Sequence, residues 1–302
     1  MRFAWDLIQG IRGKSITHDS ARASRILIVD DEQAIREIVS SMLENEGYEC
    51  EAASDGLDAL TILNSSRPFD LLLTNLLMPR LDGVGLLERV KKEFPDMEVM
   101  FETAVKDLSV TLACYRHGAY DYLLKPYTRW QLTVAVRRAL EDQRLKMEIR
   151  SYCQSGNLIG SASGHKQSRI LVVEADQTSR EKNCSELVAV GYECTEASTG
   201  RQALFSLEHR GQFDSLLIEE TLPEIRGSSV LEIAKTKYPD MVAIMATGVQ
   251  DISRAESAIR HGFFDYIRKP FPPQLLVIIV RRALEHRRLV LESRCMKAEH
   301  SD

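Results

Sequence analysis

The feature that most constrains this chain is a repeat. The stretch RILIVDDE begins at Arg25, and RILVVEAD begins 144 residues later at Arg169. GYEC stands at Gly47 and Gly191, and FPDM at Phe94 answers YPDM at Tyr238. HGAYDYLLKPY at His117 answers HGFFDYIRKPF at His261, and RRALE recurs at Arg137 and Arg281. Every block obeys the same shift of 144, so no insertion separates the copies, and the 302 residues hold one domain written twice. Two copies of that length exclude a solenoid of short repeats. The expected boundaries are a leader at residues 1–24, a first domain at 25–150, a Ser/Gly-rich flexible linker at 151–168 and a second domain at 169–298.

Within the first copy, apolar runs and helical periods alternate. Strands are expected at Ile26–Val29, Tyr48–Ala52, Leu71–Leu73, Val99–Phe101 and Tyr120–Leu124. Ile35, Ile38, Val39, Met42 and Leu43 mark a helix ended by Gly47, and Leu57, Leu60 and Leu63 mark a second. Val84, Leu87 and Val90 mark a third, closed before Pro95; a fourth lies near Val110–Arg116, and a long helix starts about Arg129. Strand-helix alternation with continuously apolar strands predicts an α/β fold, a five-stranded parallel sheet covered by helices on both faces.

In such a sheet, functional loops lie at the carboxyl ends of the strands. The first copy places Asp30, Asp31 and Glu32 after strand one, Asn75 after strand three, Thr103 after strand four and Lys125-Pro126 after strand five. Acids, a hydroxyl and an ammonium around one position suit Mg²⁺-assisted phosphoryl transfer to a carboxylate. The acids would hold the metal, and the metal and lysine would neutralise phosphoryl oxygens.

With these motifs in order, both copies resemble the receiver domains of two-component response regulators, over about residues 25–141 and 169–285. The resemblance implies a flavodoxin-like fold, an acidic pair for Mg²⁺, and an aspartate four residues before the proline of the MP turn that takes a phosphoryl group from a histidine kinase. It also implies a Thr and an aromatic that report the change, and a lysine that contacts the phosphoryl group across a peptide bond that is often cis. Carried over, the first copy keeps Asp30, Asp31, Thr103, Tyr122, Lys125 and Pro126, but Asn75 stands at the acceptor position. The second keeps Thr247, Tyr266, Lys269 and Pro270; its acidic positions are Glu174, Ala175 and Asp176, and its acceptor position is Glu219.

The departures direct the functional reading. An amide is a poor nucleophile, so no acyl phosphate is expected at Asn75. A weak Mg²⁺ site is expected in the first domain only, at Asp30 and Asp31, and no cofactor is required. Glu219 is long enough to reach Lys269, and its single charge would imitate a phosphoryl group only in part. Thr103 and Thr247 are expected to stabilise their loops, and His117 and His261 to sit at helix C-termini. No output domain is expected after the second copy, so the chain reads as a signalling protein acting by contact, not an enzyme. Its expected partners are a sensor histidine kinase, another response regulator or an output protein. Leu132, Val136, Leu140 and Met147, with Leu284, Leu289 and Leu291, offer the terminal helices as a homodimer face. The alternatives are an Mg-dependent phosphoryl-transfer enzyme, which the adjacent acids of VDDE disfavour, and a switch phosphorylated on a non-standard residue.

Composition removes other classes. A net charge of −5 argues against a nucleic-acid surface, and no apolar run reaches the roughly 18 residues of a membrane span. Six cysteines without CxxC spacing read as bystanders in a reducing, cytoplasmic compartment.

Overall fold

The computed structural model describes residues 23–105, 107–154, 167–248 and 257–299. Most of the expected leader and most of the expected linker lie outside the described residues. The first copy runs β1 (Arg25–Val29), α1 (Gln33–Glu44), β2 (Glu49–Ala53), α2 (Gly56–Ser65), β3 (Leu71–Asn75), α3 (Gly83–Glu93), β4 (Glu98–Thr103), α4 (Leu108–Arg116), β5 (Asp121–Leu124) and α5 (Arg129–Gln154). The second runs β6 (Arg169–Val173), α6 (Gln177–Ala189), β7 (Glu193–Ala197), α7 (Gly200–His209), β8 (Ser215–Glu219), α8 (Gly227–Lys237), β9 (Val242–Thr247), β10 (Asp265–Arg268) and α9 (Pro273–Glu299).

The strand orders β2-β1-β3-β4-β5 and β7-β6-β8-β9-β10 are the same, and the pairs described are parallel. Both are flavodoxin-like, as the alternation predicts. Alternate residues of one strand serve opposite faces. Leu171, Val173, Leu216, Ile218, Ala243 and Met245 join one core cluster of the second copy, and Ile170, Val172, Leu217, Val242, Ile244 and Ala246 join the other. Covering both faces makes the interiors of these central strands continuously apolar. Each fully buried Leu or Ile contributes about 1.5–3 kcal/mol, so these strands fix the register that aligns the loops at their ends.

Local signals set the helix bounds. Asp55 accepts from the Leu57 and Asp58 amides and Asp82 from that of Gly85, satisfying the first turns of α2 and α3. His117 caps the end of α4, followed by Gly118 at φ 94°, and Gly262 after His261 has φ 91°, where a glycine is at ease. Two details differ from the sequence reading. Ile38 and Leu57, counted with the apolar periods, are 51% and 39% exposed, because α1 and α2 need only a narrow stripe against the sheet. Helix α5 continues to Gln154, four residues into the expected linker.

The chain forms two compact units whose bounds do not follow the repeat. One comprises Met1–Ala104 with Tyr122–Arg129; the other comprises Val105–Asp121 with Trp130–Asp302, so it includes α4 and nearly all of α5 beside the second copy. Ionic contacts inside this second unit supply the reason. Arg138 on α5 pairs with Asp265 at 3.0 Å, and Arg282 on α9 pairs with Asp121 and with Asp265. Asp121 and Asp265 are 144 residues apart, as are Arg138 and Arg282, so the repeats exchange an Asp–Arg pair in both directions. Around it, Asp142 Oδ1 lies 2.6 Å from His286 Nδ1, the Tyr120 hydroxyl donates to Asp142 Oδ2 at 2.8 Å, and Gln131 donates to the Tyr266 hydroxyl at 2.8 Å. Polar and charged side chains of α5 and α9, the helices that the sequence offers for a homodimer, therefore make contacts within the chain. Of the apolar residues offered there, Leu132, Val136 and Leu289 are buried, whereas Met147 is exposed.

Candidate functional site

In the first unit, the carboxyl ends of β1, β3, β4 and β5 meet. Asp30, directly after β1, is fully buried. Its Oδ2 accepts from Lys125 Nζ at 2.6 Å, and its Oδ1 accepts from the Glu32 amide at 2.8 Å. Asp31 is exposed and does not join this pair; its Oδ1 accepts from Asn75 Nδ2 at 3.1 Å. The Asn75 amide is fully engaged. Its Oδ1 accepts from the Leu76 amide at 2.8 Å, and its Nδ2 also donates to the Leu77 carbonyl at 3.2 Å. A neutral amide thus sits between Asp31 and its own loop, presenting N–H donors where a cation would need oxygen.

The loop around residue 75 is tightly shaped. The Gly83 amide donates to the Leu76 carbonyl at 2.9 Å, and a side chain at Gly83 would overlap the Asn75 carbonyl oxygen. Gly227 stands in the same relation to Glu219. Arg80 and Glu224, 144 apart, both take left-handed backbone at φ 61° and 69°. Both Lys-Pro peptides, Lys125-Pro126 and Lys269-Pro270, are cis. The Lys125 amide donates to the Thr103 carbonyl and the Lys269 amide to the Thr247 carbonyl, each at 2.8 Å, and both threonines are buried. Tyr122, on β5, is half-buried.

One residue of this pocket was missed in the sequence. Glu102, on β4 beside Thr103, is fully buried, and its Oε1 lies 3.8 Å from Lys125 Nζ. The Tyr127 hydroxyl donates to its Oε2, while Oε1 accepts no hydrogen bond. Burial pushes the Glu102 carboxyl up to about 7; the nearby Asp30 charge adds to this, and Lys125 opposes it. The available signal was a second glutamate directly after the apolar run Val99–Phe101 in the strand EVMFET.

The second copy fills the same place differently. Lys269 Nζ pairs with Glu174 Oε2 and with Glu219 Oε1, the latter at 3.0 Å, and the Ala175 amide points to Glu219 Oε2 at 3.4 Å. Burial is the largest influence on both acids and raises Glu174. For Glu219 that rise is outweighed by hydrogen bonds from Glu174 and Lys269, which hold it below the usual range. Asp176, expected in the acidic pocket, instead caps α6. Its Oδ2 accepts from the Ser179 amide at 2.7 Å, and that bond holds the carboxyl below its ordinary range.

The donor sets bear on a divalent cation. In the second copy they do not fit one, because Ala175 has no side-chain oxygen and Glu174 is held by Lys269. In the first copy Asp30 and Asp31 are hard-oxygen ligands of the right kind, although Asp30 is bonded to Lys125 and Asp31 to Asn75. Among the described residues, no three His, Cys, Asp or Glu side chains are grouped as a metal site, and no helix is long and apolar enough to cross a membrane.

Comparison with known proteins gives the same assignment for both copies. The family model described as the response regulator receiver domain matches residues 26–137 and 170–281. The nitrogen assimilation regulatory protein NtrX of Azorhizobium caulinodans is 30% identical over 247 residues, covering 76% of this chain and 54% of that protein. The DNA-binding transcriptional regulator NtrC of Proteus hauseri is 35% identical over 119 residues, covering 39% of this chain and 25% of that protein. The chain thus spans about half or less of these relatives. Among solved structures, the receiver domain of NtrX from Brucella abortus is 36% identical, covers 38% of this chain and 98% of its own, and has a TM-score of 0.37. With the family's model matched twice, and its fold built twice, the chain belongs to the response regulator receiver family.

Proposed function

We propose that this chain is a two-component signalling adaptor that keeps the receiver shape without the receiver's acyl-phosphate chemistry. The observation that carries this reading is the state of the two acceptor positions. The Asn75 amide is hydrogen-bonded into its loop, and Glu219 is bound to the lysine that would meet a phosphoryl group. Asn75 offers no carboxylate to phosphorylate. Glu219 places one negative charge against Lys269, which supplies part of a phosphoryl group's charge at a fixed site. In copy one, Asp30 and Asp31 would hold a divalent cation weakly, with one carboxylate fewer than a full set, and the cation would supply charge neutralisation there. Thr103, Tyr122 and Lys125, with Thr247, Tyr266 and Lys269, keep the positions of a receiver's switch and contact residues.

The protein would then act by contact from the cytoplasm, on a sensor histidine kinase, another response regulator or an output protein, through two receiver-like repeats with sequence bounds near residues 25–150 and 169–298. The test is incubation with acetyl phosphate and Mg²⁺, followed by intact-mass measurement. No adduct of about 80 Da is expected on either pocket, and a stable one mapped to Asn75 or Glu219 refutes the proposal.

A further inference from the structure

The two pockets differ at neighbouring positions in a compensating way. Asn75 faces Glu102 across the β3–β4 register, and the corresponding partners on β8 and β9 are Glu219 and Ala246. Each copy therefore has one carboxylate at this level, on the fourth strand in the first and on the third strand in the second. In each, the lysine lies between that carboxylate and the one ending the first strand. Lys125 stands 2.6 Å from Asp30 and 3.8 Å from Glu102; Lys269 pairs with Glu174 and stands 3.0 Å from Glu219.

A carboxylate with no exposed surface is costly to bury unless a cation or hydrogen-bond donors meet it. Glu102 has one hydroxyl donor, from Tyr127, and one cation, Lys125, while its Oε1 has no hydrogen bond. Lys125 is thus the charge that makes this position tolerable for an acid. We infer that Glu102 is the acceptor-level carboxylate of the first copy moved by one strand, a positioning residue that holds Lys125 with Asp30 and competes for it with any anion at residue 75. The inference rests on the reading of this copy as a receiver without its acceptor. It adds that the loss is fixed by a second residue, so restoring an aspartate at 75 does not restore the chemistry.

The test uses four full-length proteins: wild type, Asn75→Asp, Glu102→Ala, and the double variant, which takes alanine as the second copy does. Each is treated with acetyl phosphate and Mg²⁺ and weighed intact, with the adduct mapped by peptide. Asn75→Asp/Glu102→Ala is expected to carry at least about tenfold more acyl phosphate in the first pocket than Asn75→Asp alone, since Lys125 then answers to Asp30 but no longer to Glu102 and can turn to the phosphoryl oxygens. Equal yields in these two, high or nil, overturn the inference. An adduct at residue 75 in the wild type overturns the functional proposal instead. A second readout needs no phosphorylation. Asn75→Glu, the second copy's arrangement, is expected to be better tolerated by roughly 3 °C in melting temperature when residue 102 is alanine than when it is glutamate. Equal shifts in the two backgrounds overturn the inference as well.

Discussion

Asp265→Ala tests the account of the second unit most directly. Asp265 meets Arg138 at 3.0 Å and also meets Arg282, and the three side chains are only 11%, 10% and 9% exposed. Removing one partner of a buried ion pair typically costs about 3–5 kcal/mol, because the other charge stays buried without compensation. Here two guanidinium groups lose a partner. Arg282 keeps Asp121, and Arg138 keeps the face of Phe264 at 4.7 Å, worth about 0.5–2 kcal/mol, so the lower half of that range is expected. At about 2–4 °C per kcal/mol for a unit of this size, melting should fall by roughly 6–16 °C. Arg288→Ala on the same helix is the control. Its pairs with Glu285 and Glu292 join side chains that are 54%, 41% and 33% exposed, and screened surface pairs of this kind are worth about 0–1 kcal/mol. Acid gives an independent check. Burial would raise the Asp265 carboxyl, but Arg138 and Arg282 hold it below 3.8. A depressed carboxyl contributes stability above its unfolded value and loses it as pH falls through the folded one, so the wild type should lose this contribution below about pH 4. Asp265→Asn should lack that component. Calorimetry and urea unfolding of the full chain measure both. A melt within 2 °C or so of wild type, or strict additivity of Asp265→Ala with Arg138→Met, refutes the exchanged-pair account.

Glu102→Gln should remove a pH dependence of the opposite sign. The folded carboxyl titrates near 7 against 4.5 unfolded, so wild-type stability should fall by roughly 3 kcal/mol from pH 4.5 to 7, and urea midpoints of the variant should be flatter there. Gly83→Ala and Gly227→Ala force a methyl group onto the carbonyl oxygens of Asn75 and Glu219, and each should cost about 1–3 kcal/mol in denaturant unfolding. Lys269→Met leaves Glu174 and Glu219 facing each other without their cation; it should destabilise at neutral pH and recover as acid protonates the pair, read by thermal melts at pH 5 and 8.

Much of this was legible in the sequence for a physical reason. Strands buried on both faces carry near-continuous apolar runs, so these runs and the helical periods between them expose both the sheet and the loops at its ends. Asp30, Asn75, Thr103 and Lys125 converge because each follows a parallel strand. What was not legible depends on a side chain's choice between partners. Glu102 is not legible because the apolar run of β4, Val99–Phe101, ends just before it, and a single charge there gives no sign of pointing to Lys125. Asp176 looked like a member of the acidic pocket, but its carboxylate satisfies the start of α6. Ile38 followed the helical period but faces solvent, because periodicity marks a stripe and not its edge.

The repeat diverges unevenly, and the geometry accounts for where. In the pockets the copies differ at Asp30/Glu174, Asp31/Ala175, Asn75/Glu219 and Glu102/Ala246, yet each retains two carboxylates about its lysine. These residues act inside their own copy, so a change at one position can be offset at a neighbour without reference to the other domain. At Asp121/Asp265 and Arg138/Arg282 the copies are identical. There each residue has a partner in the other repeat, and an exchanged pair keeps both its ion bridges only while both copies supply an acid and a base. Reversing one charge would set two like charges together in a buried position, where the penalty is several kcal/mol. Drift is therefore easy where the lysine can be rebalanced locally, and costly where the two repeats depend on each other's side chains.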